Sequence, residues 1–492
     1  MTVNPKKLKP YDTPPKRRRS LIPEGPDSAA TGFFVAAALW LALATALGVL
    51  AIGMRLVDIS FSFGLGVFDL SLSFDQRRVD YAFVNATVFG WLTNAGFAAV
   101  AFMTPRLVGR RLAMEKGLNG ALIIWNLSLA GGVAALYVFD LGPHAPLTAI
   151  PWLMGGGLAL GALIVTGAFF ATVATSLRGS YVSLWFAGVA LLSLLGLVGA
   201  NAALGLFDFF FDVPVLLVAL ASVYIERALV VMWLLGMAYA TLYYVVPRGT
   251  GQPLAWAGIG MLSFVTWLML APVAGLTAVV DVSIPYAITS VGIVATMLLL
   301  VPAALSAVNL VTSMQGRWTL VFGTGAAAFA IVALAFLFAA TLLDAIGALR
   351  VVDDLVGRTG WERGAFLWTA YGTFTFAAFA LAEHALPRML RRAWGGGFLS
   401  GAQLWLTFIG VTVAGLALMG GGLAEGSLLA SGTAPDAVDQ GVFIYRVVAF
   451  LGLGMVALAG LAFLANLFLM YTNGERIDYA VPAQPAAAAA GQ

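Results

Sequence analysis

Apolar runs of about twenty residues follow one another along almost the whole chain, separated by short polar segments. About twenty such residues let an α-helix cross the hydrocarbon core of a bilayer. The pattern predicts spans near 32–54, 80–104, 118–138, 150–175, 181–206, 213–246, 254–279, 285–312, 318–344, 362–386, 401–422 and 442–471. The fold class implied is all-α, a polytopic membrane protein of twelve transmembrane helices. The run 213–246 is too short for two crossings and long for one, and splitting it would invert every later loop. It therefore reads as one long or tilted helix.

The positions of the basic residues support this count. Cytoplasmic loops collect Lys and Arg. With the N-terminus inside, the inner segments hold 18 of the 26 basic residues, among them Arg17, Arg18, Arg19, Arg106, Arg248, Arg317, Arg388 and Arg476. The outer segments FDLGPHAP, FDFFFD and VVDVSIP are acidic or neutral. Both termini are expected in the cytoplasm of a bacterial-type inner membrane. The chain then divides into a basic, disordered tail (1–31), a twelve-helix membrane domain (32–472) and a low-complexity tail (473–492) ending in PAQPAAAAAGQ. The run Thr31–Met54 is too long for the apolar region of a secretory signal.

Composition agrees. The 492 residues are 61% hydrophobic and 10% charged, and a mean hydropathy of +0.95 excludes a soluble globular protein. The basic balance reflects loop charge that sets orientation, so no nucleic-acid partner is expected. No cysteine is present, which excludes disulfides and thiolate metal sites. There are only two histidines, His144 and His384. No phosphate-binding loop, dinucleotide fingerprint or zinc motif stands out.

One feature breaks the apolar pattern. In YIERALVVMWLLGMAYATLYYVVPRGTGQP (224–253), the adjacent pair Glu226-Arg227 interrupts the sixth span. Charges inside a span are costly and usually mark function.

Several stretches resemble the catalytic subunit of haem-copper oxidases, particularly the C-family or cbb3-type branch. YYVVPRGTGQP (243–253) is similar to the end of that family's sixth helix, and NATVFGWLTNAGFAAVAFMTPRL (85–107) to its second. TGWERGAFLWTAYG (359–372) with EHALPRM (383–389) resembles its tenth, while LAPVAGL (270–276) falls at its seventh-helix metal motif. The resemblance covers all twelve spans in order. It implies six histidines: two holding a low-spin haem between helices 2 and 10, one in helix 10 for a high-spin haem, and one in helix 6 plus a pair in helix 7 for copper. Neutral imidazole suits these metals. Carried over one by one, the positions hold Phe83 in helix 2, Arg227 in helix 6, Val273 and Ala274 in helix 7, and Ala365 and Leu367 in helix 10. His384 lies about 26–29 Å along its helix from the last two, and His144 lies in an outer loop. The sequence thus resembles a degenerate homologue lacking all six ligands, with no cofactor or metal expected.

Bulky Phe83 and Leu367, flanked by Phe366 and Trp368, are expected to pack the haem pocket shut. Arg227 needs a partner. Glu362, or Asp353 and Asp354 before it, are candidates, with Arg363 pairing Glu226. The expectation is a charge network of Glu226, Arg227, Glu362 and Arg363 where the binuclear centre would be; the alternative places both pairs at the outer interface, with Arg snorkelling to water. Tyr239, Thr241, Tyr243, Tyr244, Ser263, Thr266 and Thr277 read either as a proton wire or as interfacial and interhelical contacts.

Three functions from different classes follow. The chain is a non-catalytic structural or anchoring subunit of a respiratory or electron-transfer complex, with a membrane cytochrome c or a copper- or iron-sulfur-containing subunit as partner. Alternatively it is an active terminal oxidase or nitric oxide reductase relative that holds haem and copper with unconventional ligands. The third is an ion-translocating subunit, which lacks the broken helices usual at transport sites.

Overall fold

The structure is a computed structural model and describes residues 25–57, 60–65, 70–174, 181–279, 285–395 and 397–477. The expected terminal tails lie almost wholly outside these residues. Among the described residues twelve helices are long and apolar enough to cross a membrane: α1 (Ser28–Leu56), α2 (Gln76–Val108), α3 (Glu115–Ala135), α4 (Trp152–Val173), α5 (Val182–Phe211), α6 (Val215–Thr250), α7 (Ala257–Ala278), α8 (Tyr286–Ser313), α9 (Ala326–Gly347), α10 (Gly360–Leu390), α11 (Gly397–Ala430) and α12 (Pro435–Asn473). Their number and order agree with the hydrophobic pattern, and the chain is a multi-pass membrane protein. The sixth run is indeed one continuous helix.

Two local readings need correction. The ninth run, read as 318–344, is split: a single turn, Trp318–Val321, precedes α9. The sequence Phe322-Gly323-Thr324-Gly325 explains the break, since paired glycines disfavour helix. A two-stranded antiparallel hairpin, β1 (Phe61–Leu65) with β2 (Leu70–Phe74), joins α1 to α2. Its register sets Phe61 opposite Phe74. It is a connection outside the bundle and leaves the class all-α.

Twelve crossings return the chain to one face, termed proximal. There Arg106 pairs with Asp27 at 2.8 Å, just before α1. The hairpin face is termed distal.

α2, the C-terminal half of α6 and α10 form the buried centre. Each ends on a Pro-Arg pair: Pro105-Arg106, Pro247-Arg248 and Pro387-Arg388. One turn before each Arg stands a ring: Phe102, Tyr244 and His384. These three rings meet edge-on at 6.1–6.3 Å between centroids, closing a triangle on the bundle axis. Each of the three helices also carries a π-helical stretch: Ala86–Leu92, Leu229–Leu234 and Trp368–Phe374. A π-turn shifts the carbonyl register by one residue, which frees groups for cross-helix bonds. Trp91 donates to Thr375 (2.8 Å) and Trp233 to Thr93 (2.9 Å), while the hydroxyls of Thr87 and Tyr371 pair at 2.9 Å. Outside the centre the same device recurs, with Trp125 of α3 donating to the Phe89 carbonyl and Trp267 of α7 to that of Val231, both at 2.9 Å.

Small residues set the remaining contacts, as expected where no hydrophobic force draws helices together in lipid. The glycine run of α11 lets the start of α10 approach closely. A β-carbon on Gly422 would lie 2.2 Å from the Trp361 backbone nitrogen and 2.6 Å from Thr359 Oγ1. Gly422→Ala is therefore expected to lower stability by about 1–3 kcal/mol through overpacking, read as a lower melting temperature in detergent. An unchanged melting temperature would mean that α10 can move away at no cost.

Candidate functional site

Two cavities adjoin in the distal half. The first, about 770 Å³, lies among α1, α2, α10, α11 and α12, and Phe83 and Leu367 are in its wall. The second, about 420 Å³, lies among α6, α9 and α10, with Arg227 and Ala365 in its wall. Pro146, Glu226, Glu362 and Phe366 line both and form the partition. Four of the six carried-over positions thus converge on these cavities. Val273 and Ala274 do not: Ala274 is fully buried in α7, its carbonyl accepting from Thr277 at 2.7 Å and Thr296 at 3.4 Å.

The expectation of a pocket packed shut is not met. Phe83 stacks parallel to Tyr371 (6.3 Å), lies edge-on to Phe366 (6.4 Å) and covers Gly48. Trp368 turns away toward Phe336, 5.4 Å between centroids. The aromatic rings pack sideways along the wall rather than across the space. Charged side chains that need solvation, Arg55, Asp80 and Arg363 among them, occupy the rest of the lining.

The charge network is also wired differently from the expectation. Arg227 pairs with Asp344 of α9, both side chains less than a third exposed. Arg363 pairs with Asp80 of α2 at 3.4 Å, and Arg55 of α1 reaches the same carboxylate at 2.5 Å. Glu362 accepts from the backbone N–H of Arg358 at 3.2 Å, Asp353 lines the second cavity, and Asp354 is exposed. Neighbouring residues on a helix point about 100° apart. Glu226 therefore faces the partition it shares with Glu362, while Arg227 faces α9. One Glu226 oxygen, Oε2, is buried with no hydrogen-bond partner among the described residues. The pairs are interhelical, in keeping with the network expectation, but the partners are Asp344 and Asp80. Both stand at the distal ends of their spans, and sequence reading counted them as span boundaries. Charges facing each other across one end of the bundle were the available signal.

Neither histidine lines these two cavities. His384 sits in the proximal aromatic triangle, as its place along the helix requires. His144 Nδ1 lies 3.3 Å from Ser222 Oγ. The hydroxyl residues do not make a continuous wire among the described residues: Tyr243, Ser306 and Ser263 join at 3.2 and 2.6 Å, but Thr266 and Thr277 bond back to their own helix.

Haem and copper can be tested against the donors present. Phe83, Leu367 and Ala365 offer no lone pair, and Arg227 is a cation already engaged with Asp344. Of the residue types that ligate haem iron, the first cavity retains Met54 and Tyr81. The Tyr81 hydroxyl donates to the His144 carbonyl (2.8 Å) and accepts from Arg77 (3.2 Å), while Met54 packs with Ala51 and Val79. No group of three His, Cys, Asp or Glu converges among the described residues. The donor set does not fit these groups.

The twelve-helix fold agrees with comparison to known proteins. The family described as Cytochrome C and Quinol oxidase polypeptide I matches residues 28–456. The chain belongs to this family. Among its relatives, the cbb3-type cytochrome c oxidase subunit CcoN1 of Stutzerimonas stutzeri is 24% identical over 457 residues, covering 87% of this chain and 93% of that protein. The fold is similar to a heme-copper terminal oxidase dimer solved by cryo-EM, with a TM-score of 0.73 and 16% identity, over 91% of this chain and 84% of that one. The chain is thus a membrane protein like subunit I of haem-copper oxidases.

Removing Arg227 leaves Asp344, about a quarter exposed, without its ion-pair partner. Arg227→Ala is expected to destabilise the protein by about 1–2 kcal/mol, and Asp344→Asn on that background to restore part of the loss. Melting curves of the two variants check this; equal curves for wild type and Arg227→Ala would remove the pair from the structural account. His144 gives a pH prediction. Burial lowers its pKa from the ordinary 6.5, against an opposing pull from Asp208. The unfolded chain therefore takes up this proton at a higher pH than the folded one, and stability present above pH 6.5 falls as the pH drops below it. His144→Gln should flatten that part of the profile in melting experiments from pH 7.5 to about 5.

Proposed function

We propose that the chain is a haem-free, non-catalytic member of its family that acts as a structural or anchoring subunit of a membrane redox complex. The observation that carries this reading is the replacement of all six ligand positions by side chains that bind neither haem nor copper. Arg227 stands where a copper ligand is expected, and a cation there repels a metal ion. Ion pairs across five helices, α1 to α2, α2 to α10 and α6 to α9, brace the distal space and serve as a scaffold without a metal. The redox centres then belong to partner subunits, a membrane cytochrome c or a copper- or iron-sulfur-containing protein. Its place is the plasma membrane of a bacterium, with both termini cytoplasmic, as the inner-loop arginines argue.

The size of the first cavity favours a second reading. At about 770 Å³ it lies in the range of cofactor sites, which fits an active oxidase with unconventional ligands. An absorption spectrum with haem and copper analysis of the purified full-length protein separates the two. The anchoring role predicts no Soret band and less than a tenth of an equivalent of copper or haem. Stoichiometric haem would overturn it. Affinity purification from the native membrane is then expected to bring down a subunit with a haem or metal signature of its own.

A further inference from the structure

A third cavity bears on what the distal space holds. It is a chamber of about 110 Å³ that shares Arg55, Arg363 and Leu418 with the wall of the 770 Å³ cavity, so the two adjoin. Four guanidinium groups from separate segments converge on the chamber: Arg55 of α1, Arg358 of the turn before α10, Arg363 of α10 and Arg446 of α12. Its one carboxylate, Glu425, accepts from the Gly360 N–H at 3.2 Å. The chamber lies at the N-terminus of α10, whose dipole adds positive potential there. Arg358 has φ +62°, a left-handed conformation that is uncommon outside glycine. Its N–H is fixed on Glu362.

The ion pairs of Arg363 and Arg446 leave donors unused, while Arg55 also faces the Gln76 amide. Arg446 bonds Asp439 at 2.7 Å, and Arg55 and Arg363 share the single carboxylate Asp80, whereas each guanidinium carries five N–H groups. Planar, delocalised guanidinium suits phosphate and carboxylate. Past Leu418 the wall changes character: Phe83, Phe366, Leu367 and Leu453 present hydrocarbon. A polar, cationic chamber thus opens onto a larger cavity with an apolar side.

We propose that the distal cavities bind an amphiphilic anion, with its phosphate or carboxylate headgroup among Arg55, Arg358, Arg363 and Arg446 and its apolar body against Phe83 and Leu453. Such a ligand solves the problem posed by the open space: it covers apolar wall that would otherwise be wetted and engages guanidinium donors in one step. The inference rests on the reading that haem does not occupy the first cavity. A phospholipid and a free fatty acid both supply this chemistry.

The test uses the full-length protein in a neutral maltoside detergent, with dodecyl phosphate, dodecanoate or dodecanol added. We expect either anion to raise the melting temperature in a saturable way, and uncharged dodecanol not to. A stronger response to the phosphate points to a phospholipid, and a stronger one to the carboxylate to a fatty acid. Arg363→Gln and Arg446→Gln should weaken the apparent affinity at least tenfold, and Arg446→Lys less. The wild-type comparison of anion with alcohol stands even where a variant does not fold. Equal responses to the anions and dodecanol, or no response, would overturn the proposal, as would undiminished affinity in the folded Gln variants. A Soret band would overturn the anchoring role together with this inference; its absence with no anion response overturns the inference alone.

Discussion

In hydrocarbon there is no water to satisfy a polar group, so each one must find its partner inside the protein. The structure depends on this constraint most visibly where α2, α6 and α10 meet. Their indoles and hydroxyls bond each other across helices, Trp91 to Thr375 and Trp233 to Thr93, at the level where π-turns offset the ladders. Below them the triangle of Phe102, Tyr244 and His384 fixes the axis. With the three central helices held in this way, the other nine pack around them through glycine contacts and tryptophan-to-carbonyl bonds.

The same constraint governs the distal half. Arg227, Arg55 and Arg363 can stay within the bundle because Asp344 and Asp80 meet them from neighbouring helices. The space beside Phe83, Leu367, Arg227 and Ala365 stays open. Aromatic side chains coat the wall, charged ones span the mouth, and α10 stays seated on the glycines of α11. The contacts that hold the helices are thus separate from the residues that line the cavities, so the fold by itself does not fix what chemistry it carries.

Much of this was legible beforehand, for identifiable reasons. The twelve spans follow from run length, and the unity of α6 follows from the alternation of loop charge. The resemblance rested on short stretches such as YYVVPRGTGQP and TGWERGAFLWTAYG, which lie on two of the three central helices. The break before α9 was missed because Trp318–Val321 is apolar enough to join the run, although two glycines stand in the gap. The charge partners were missed because Asp80 and Asp344 lie at the edges of their runs, where an acidic residue looks like a loop residue.

The amino-acid sequence by itself determined the membrane class and the number of helices, because each depends on residue type and spacing along one chain, and the six positions that the family resemblance marks hold no histidine. Tertiary structure decided which acid meets Arg227, that Phe83 lies along the cavity wall without filling the space, and that arginines of α1, α12 and the start of α10 face one chamber. Those are relations between helices. They depend on rotation, crossing and depth in the bundle, which a pattern along a single helix does not specify.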